Sequence, residues 1–233
     1  MSRFATGIWV KLFHWNAMNN LPNDCSISVK KIHFSYNEQK EIFSDLSFSI
    51  HSGDVFGLYG NNGSGKSTLL KIISGILYPT DGSIDITVHN QLVTRDSLHR
   101  FCGYSAPYIA LYDEFSLFEL CRYITAIRGI TFSSDTYNTM LTAAQLKNYE
   151  HQQVKYYSSG MQQRAKLILA ILHEPSVLFL DEPTSNLDEL GIDFVRTIVE
   201  HIKNRNGIVC IATNELREKQ WCNRNLDLTN THN

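Results

Sequence analysis

At 233 residues, 43% of them hydrophobic, the chain is long enough for one large domain with a sizeable core. A formal net charge of -2 leaves no basic footprint for nucleic acid, which excludes DNA or RNA as an expected partner. The five cysteines, Cys25, Cys102, Cys121, Cys210 and Cys222, fall at no C-x-x-C spacing, and the nine histidines form no H-x-x-x-H pair. A disulfide framework or a zinc site is therefore not expected.

Residues 1–26 differ from the rest. Phe4, Ile8, Trp9, Leu12, Phe13 and Trp15 make an apolar, aromatic-rich stretch, followed by a linker around Pro22. It fits an amphipathic helix, a disordered extension, or a translation start set too early, with Met18 as another candidate; the last two are preferred. Lys11 interrupts the stretch and no small-residue cleavage site comes after it, which argues against a signal peptide.

Strand-like alternation begins near Ser26 and runs through Ile27, Val29, Lys31 and His33 into Phe34 and Tyr36. It resumes from Ile42 to Ile50 through Leu46 and Phe48, up to a turn at Ser52-Gly53-Asp54. Val55–Tyr59 is a short continuous apolar run, as a buried parallel strand requires. Lys66–Ser74 reads as a helix stopped near Gly75, and Ile84–Val88 as another alternating strand. Residues 110–172 have a mostly helical composition, with Met161, Ala165, Ile168 and Leu172 spaced as one helix face. Val177–Leu180 and Ile208–Ala212 are further buried-strand runs. Between them Leu187, Leu190, Phe194, Ile198 and Ile202 mark a long amphipathic helix, stopped by Asn206-Gly207. Short apolar strands alternating with helices predict an α/β fold with a mainly parallel sheet, and the early alternation predicts an antiparallel part beside it. No run approaches the roughly 18 apolar residues of a membrane-spanning helix, so any membrane contact is expected through another chain.

The chemistry concentrates at Gly60-Asn61-Asn62-Gly63-Ser64-Gly65-Lys66-Ser67, which fits G-x-x-x-x-G-K-[ST] between a strand and a helix. A polyphosphate needs many donors in a small arc. Glycines let the backbone wrap it and point successive N–H groups inward. The helix after the loop adds its unpaired N–H groups and its dipole. Lys66 brings a full charge to the β and γ phosphates, and the Ser67 hydroxyl can ligate Mg²⁺. Val177–Leu180 then ends in two carboxylates. Asp181 is placed to hold the metal through its water shell and Glu182 to polarise an attacking water.

Tyr157-Ser158-Ser159-Gly160-Met161-Gln162-Gln163-Arg164 resembles the L-S-G-G-Q signature of ATP-binding-cassette (ABC) transporter ATPases. The resemblance covers about residues 27–228. It implies a P-loop ATPase core with an antiparallel β subdomain and a helical subdomain at about 108–165, between an extension at 1–26 and a tail at 229–233. It implies ATP and Mg²⁺ as cofactors. Two copies, or one copy and a related cassette, bury two ATP molecules, with Ser158, Ser159 and Gly160 of each meeting the other's γ-phosphate. Thr68 extends the phosphate loop. Tyr36 stands where the family stacks an aromatic on adenine; a strand aromatic packed in the core is the other reading. Ser185-Asn186-Leu187-Asp188 resembles the loop that crosses to the partner subunit, with Asn186 where alanine is more usual.

Three departures stand out. No glutamine lies in Gly103-Tyr104-Ser105-Ala106-Pro107-Tyr108, where the family places one near Mg²⁺ and the attacking water. Asn214 stands at the switch-histidine position, and an amide can hydrogen-bond a phosphate oxygen but carries no charge. Ser159 and Met161 replace a glycine and a glutamine of the signature.

The resemblance implies an ATP-hydrolysing subunit that powers transport, with export preferred, through a separate integral membrane permease. It would sit in the cytoplasm at the inner face of the cell membrane. The short C-terminus leaves no room for a regulatory domain, and the haem-exporter type of cassette is the subfamily it most resembles. The alternatives are a non-transport ABC ATPase, such as the iron–sulfur assembly type, and an ATP sensor that barely hydrolyses.

Overall fold

The computed structural model describes residues 24–37 and 40–229. The expected extension at 1–26 lies outside them except for its last three residues, and Cys25 and Ser26 already belong to the first strand. The described residues divide into two units.

The described residues of Pro22–Tyr104, Pro175–Glu182 and Ile202–Asn233 carry two sheets. In the antiparallel one, β1 (Cys25–Asn37) pairs on one side with β2 (Lys40–His51). Its other side takes β4 (Asp81–Val88), to which β5 (Gln91–Leu92) is added. Ile27 lies opposite both Ile50 and Ile86, so the alternation of the sequence becomes one apolar face. The expected alternation fails at Lys31. Between the pairs Val29↔Phe48 and Ile32↔Leu46, β1 uses one more residue than β2. That bulge puts Lys31 at φ 47, with its N–H on Ser47 Oγ at 2.9 Å. Parity therefore flips: Ile32 and Phe34 are buried, while Lys31 is exposed.

The second sheet has the order β6-β7-β8-β3-β9. Its strands are β6 (Cys102–Ser105), β7 (Val177–Asp181), β8 (Ile208–Ala212), β3 (Val55–Tyr59) and β9 (Arg224–Asp227). β3 runs parallel to β8 and β9, and β7 parallel to β8. The three continuous apolar runs are these central strands, and β7 and β8 are buried along their whole length. Helix α1 (Lys66–Ile73) joins both sheets in one core, which includes Leu69, Leu70, Phe43, Ile50, Phe56 and Phe179. Phe48 and Phe56 stack across that core at 5.5 Å. The short helices α2 (Leu98–Phe101) and α7 (Leu216–Lys219) complete this unit.

The described residues of Ser105–Glu174 and Pro183–His201 form the helical unit. Helix α3 (Leu117–Ile127) starts at a capping box in which Ser116 and Glu119 satisfy each other's backbone N–H groups. Helix α4 (Ser134–Ala143) is capped by Ser133, and helix α5 (Ser159–Ile171) by Ser158. Phe118, Phe132 and Tyr137 pack as an aromatic cluster. The segments at 113–116 and 153–155 are tied by Val154 N–H to Phe115 O at 2.9 Å and Lys155 N–H to Asp113 O at 3.3 Å. Helix α6 (Glu189–Asn204) begins here and runs on into the other unit. Its buried stripe is Phe194, Val195, Ile198, Val199 and Ile202; Leu190, expected on that stripe, is exposed.

Candidate functional site

The register of the parallel sheet gathers the site. Leu58 of β3 and Asp181 of β7 each pair with Ala212 of β8, so three strands end side by side. Beyond these ends come the phosphate loop after β3, Glu182 after β7, and Thr213-Asn214 after β8. Ligands of open α/β sheets bind beyond the carboxyl ends of the strands.

The loop closes onto α1 through Gly65, the helix N-cap, at φ 93. A Cβ there would lie 2.7 Å from Phe43 Cζ and 2.8 Å from Ile42 Cγ2, so only glycine fits. No side chain caps α1. Its first-turn N–H groups and dipole are thus directed at whatever the loop encloses. Lys66 is 6% exposed, and its Nζ donates to Gly60 O at 2.8 Å and Asn61 O at 3.0 Å. That uses two of the three ammonium donors. Burial lowers the Lys66 pKa; the carboxylates of Glu182 and Asp181 pull it back up, and Lys219 lowers it again. Ser64 Oγ is buried with no hydrogen-bond partner.

Ser67 Oγ donates to Asp181 Oδ1 at 3.0 Å. Asp181 is 2% exposed, and its second oxygen, Oδ2, has no hydrogen-bond partner. A buried carboxylate oxygen left unpaired is costly, on the order of 1–3 kcal/mol, and a cation relieves that cost. A hydroxyl and a carboxylate make a hard, all-oxygen donor pair. Among the described residues no group of three or more His, Cys, Asp or Glu could hold a metal. These features fit Mg²⁺, which keeps several waters and leans on substrate phosphates instead of an all-protein cage.

Glu182 is exposed, and its N–H donates to Ala212 O at 2.9 Å. Its φ of 43 is a left-handed conformation that a glutamate adopts at a cost of about 1–2 kcal/mol. Asn214 comes after Thr213, which is fully buried and donates its N–H to Leu58 O at 3.1 Å. From there Asn214 Nδ2 reaches Asn62 Oδ1 at 2.6 Å, so the switch-position residue touches the phosphate loop. Tyr36 is 63% exposed, with its hydroxyl 2.9 Å from Thr68 Oγ1 and its ring edge-on to Phe34 at 4.9 Å. The core-packed reading of Tyr36 is thereby excluded.

Ser158, Ser159 and Gly160 lie in the helical unit, at the N-terminus of α5. Ser158 Oγ accepts from Met161 N–H at 3.2 Å, and Ser158 and Ser159 are exposed. A Cβ on Gly160 would come 3.0 Å from Asn186 O. Asn186 itself has φ 61, a region that asparagine tolerates better than alanine, which accounts for that departure from the family pattern. In the loop without glutamine, Pro107 O accepts from Lys166 Nζ at 2.5 Å. Lys166 is 9% exposed, and burial lowers its pKa.

Two further lysines carry no motif, Lys219 beside the phosphate loop and Lys166 within the helical unit. Lys219 lowers the Lys66 pKa, and its own carbonyl accepts from Tyr59 Oη at 3.2 Å. Lys166 could have been noticed as a charge inside the apolar run that continues to Leu172; Lys219 left no such signal.

The family described as ABC transporter matches residues 43–185. Among curated relatives, the lantibiotic transport ATP-binding protein SrtF of Streptococcus pyogenes is 32% identical over 192 residues, covering 82% of this chain and 81% of SrtF. The bacitracin transport ATP-binding protein BcrA of Bacillus licheniformis is 30% identical over 184 residues, covering 78% of this chain and 60% of BcrA. Among solved structures, a dimeric post-hydrolysis state of the ATP-binding cassette MJ0796 bound to ADP and Pi shares the fold, with a TM-score of 0.74 at 20% identity. It covers 87% of this chain and 94% of that one.

Proposed function

Because this chain belongs to the ABC transporter family, we propose that it is a Mg-ATPase subunit that drives a separate membrane permease, in the export direction. The observation that carries the reading is the trio of Lys66 in the phosphate loop, Ser67 bonded to a buried Asp181, and Glu182 one residue beyond. The loop, the α1 N-terminus and Lys66 bind the triphosphate. Ser67 and Asp181 would hold Mg²⁺, which neutralises charge developing on the phosphates. Glu182 takes a proton from the attacking water, and Asn214 donates to a γ-phosphate oxygen.

The Ser158–Gly160 turn at a helix N-terminus, with both serines exposed, acts on the γ-phosphate held by a second copy, or by a related cassette. ATP then favours the closed pair because only that state contacts it from both sides. Among the described residues no helix is long and apolar enough to cross a membrane. The proposed place at the inner membrane face, beside a permease, draws on the family and on relatives named as transport ATP-binding proteins. The export direction draws on the relatives named for lantibiotic and bacitracin transport. The resemblance of Ser158–Arg164 and Thr184–Asp188 to small export-type subunits supports the same direction, with the haem-exporter type as the subfamily most resembled, and the cargo is selected by the permease.

Asn214 and the missing glutamine favour one second reading, an ATP sensor with little turnover. Size-exclusion chromatography of Glu182→Gln with Mg-ATP separates the two. Loss of the base should slow hydrolysis by about 10²–10⁴-fold and trap an ATP-dependent dimer. A chain that binds ATP yet stays monomeric and never turns over in the wild-type form is the sensor.

A further inference from the structure

We infer that Asn62 is a positioning residue for Asn214, and that the two amides act as one unit in which Asn62 aims the Asn214 NH₂ at the γ-phosphate. This rests on the ATPase reading above.

The contact is built by the sheet. Leu58 and Ala212 are paired in the β3–β8 register, and the loops that leave those strands carry Asn62 and Asn214. Thr213, buried and bonded to Leu58 O, fixes where the second loop starts. The result is Asn214 Nδ2 donating to Asn62 Oδ1 at 2.6 Å, between two exposed residues.

The chemistry gives that contact a role. A primary amide has a donor end and an acceptor end of nearly the same shape. Turned one way, Asn214 offers an N–H to a phosphate oxygen. Turned the other way, it opposes that oxygen with its own carbonyl, and both are acceptors. In the structure Asn62 turns its Oδ1, and not its own NH₂, toward Asn214, and against that oxygen only the first orientation of Asn214 makes the contact. It uses one of the two N–H groups of Asn214 and leaves the second for the phosphate.

The test is a double-mutant cycle of Asn62→Ala and Asn214→Ala, read as single-turnover hydrolysis of Mg-ATP together with ATP affinity. Asn62→Ala should slow the chemical step about ten-fold, the scale of one hydrogen bond to a charged group, with a smaller change in ATP affinity. In the Asn214→Ala background the same change should have no further effect. Equal slowing in both backgrounds, or weakened ATP binding at an unchanged rate, overturns the inference. Wild-type protein that binds Mg-ATP but shows no turnover overturns the ATPase reading and this one with it, and that control separates the two failures.

Discussion

In the unit built on two sheets, the candidate residues are tied to one another. Lys66 is bonded to Gly60 and Asn61, Ser67 to Asp181, Tyr36 to Thr68, and Asn214 to Asn62. In the helical unit, Ser158 bonds within its own helix, and Ser159 beside it is exposed. That unit also leaves Tyr108, Tyr112, Tyr123, Ile127 and Tyr156 more than half exposed. The first region is a preorganised cradle whose geometry is set before any ligand arrives, which limits the entropy lost on binding. The second offers an exposed helix N-terminus whose proposed target is a phosphate held by a second copy. Substitutions of the cradle's binding groups, Lys66 and Tyr36, should therefore fail in affinity, those at Glu182 and at the Asn62–Asn214 pair in the rate of the chemical step, and those at Ser158 in turnover or assembly of the pair.

The largest expected effect is on the cradle. Lys66→Ala removes a nearly buried cation from the phosphate loop, and ATP affinity should fall about a hundred-fold, as when one partner of a desolvated charge pair is truncated. Equilibrium binding of a fluorescent ATP analogue checks this. Burial lowers the Lys66 pKa, so the wild-type cation is lost at a lower pH than a solvent lysine's as pH rises. Since the protonated form attracts the triphosphate, affinity should decline on the alkaline side and hold toward neutrality. An affinity insensitive to Lys66 would remove the contrast between the regions.

A smaller effect of another kind is expected at Ser158. Ser158→Ala deletes the α5 N-cap and should cost about 1 kcal/mol of stability in urea unfolding. ATP affinity of the single chain should stay unchanged, while turnover of the assembled pair drops about ten-fold or more, the scale of one lost charge-assisted hydrogen bond. Ser158→Thr should restore most of both, because threonine also caps. If Ser158→Ala instead weakens ATP binding by the single chain, the helical unit takes part in the same chain's site and the contrast fails.

The cradle is the part of the molecule best legible in the sequence, for a physical reason. Continuous apolar runs such as Val177–Leu180 and Ile208–Ala212 have few alternatives to a buried parallel strand, and the glycines and Lys66 have few alternatives to a phosphate loop. Period-two counting carried the face of β1 through Lys31 and His33, but an extra residue there puts Ile32 and Phe34 inside instead, and further register shifts follow as far as Asn37. Leu190 matched the helix period yet lies exposed in the first turn of α6. The Asn62–Asn214 contact joins positions 152 apart and exists only through the β3–β8 register, which no local pattern encodes. Lys219 acts on Lys66 from a four-residue helix with no motif.

The smallest effect is expected at Tyr36, where the cradle reaches its edge. The ring is mostly exposed but is anchored at two points, by its hydroxyl on Thr68 and by its edge on Phe34. If the exposed ring stacks on adenine, Tyr36→Ala should weaken ATP binding about ten-fold, the scale of a base–aromatic stack of about 1–3 kcal/mol. Tyr36→Phe keeps the ring and loses only the bond to Thr68, a solvent-reachable contact worth about 0.5–1.5 kcal/mol. It should therefore cost about three-fold in affinity and remain sensitive to the base. Comparing ATP with inorganic triphosphate isolates the stacking part, since triphosphate has no base and its affinity should fall with Tyr36→Ala by no more than the roughly three-fold that loss of the Thr68 bond costs. An equal loss for both ligands would assign Tyr36 to support of Thr68 and the start of α1, and the edge of the cradle would then be structural, with adenine recognised elsewhere.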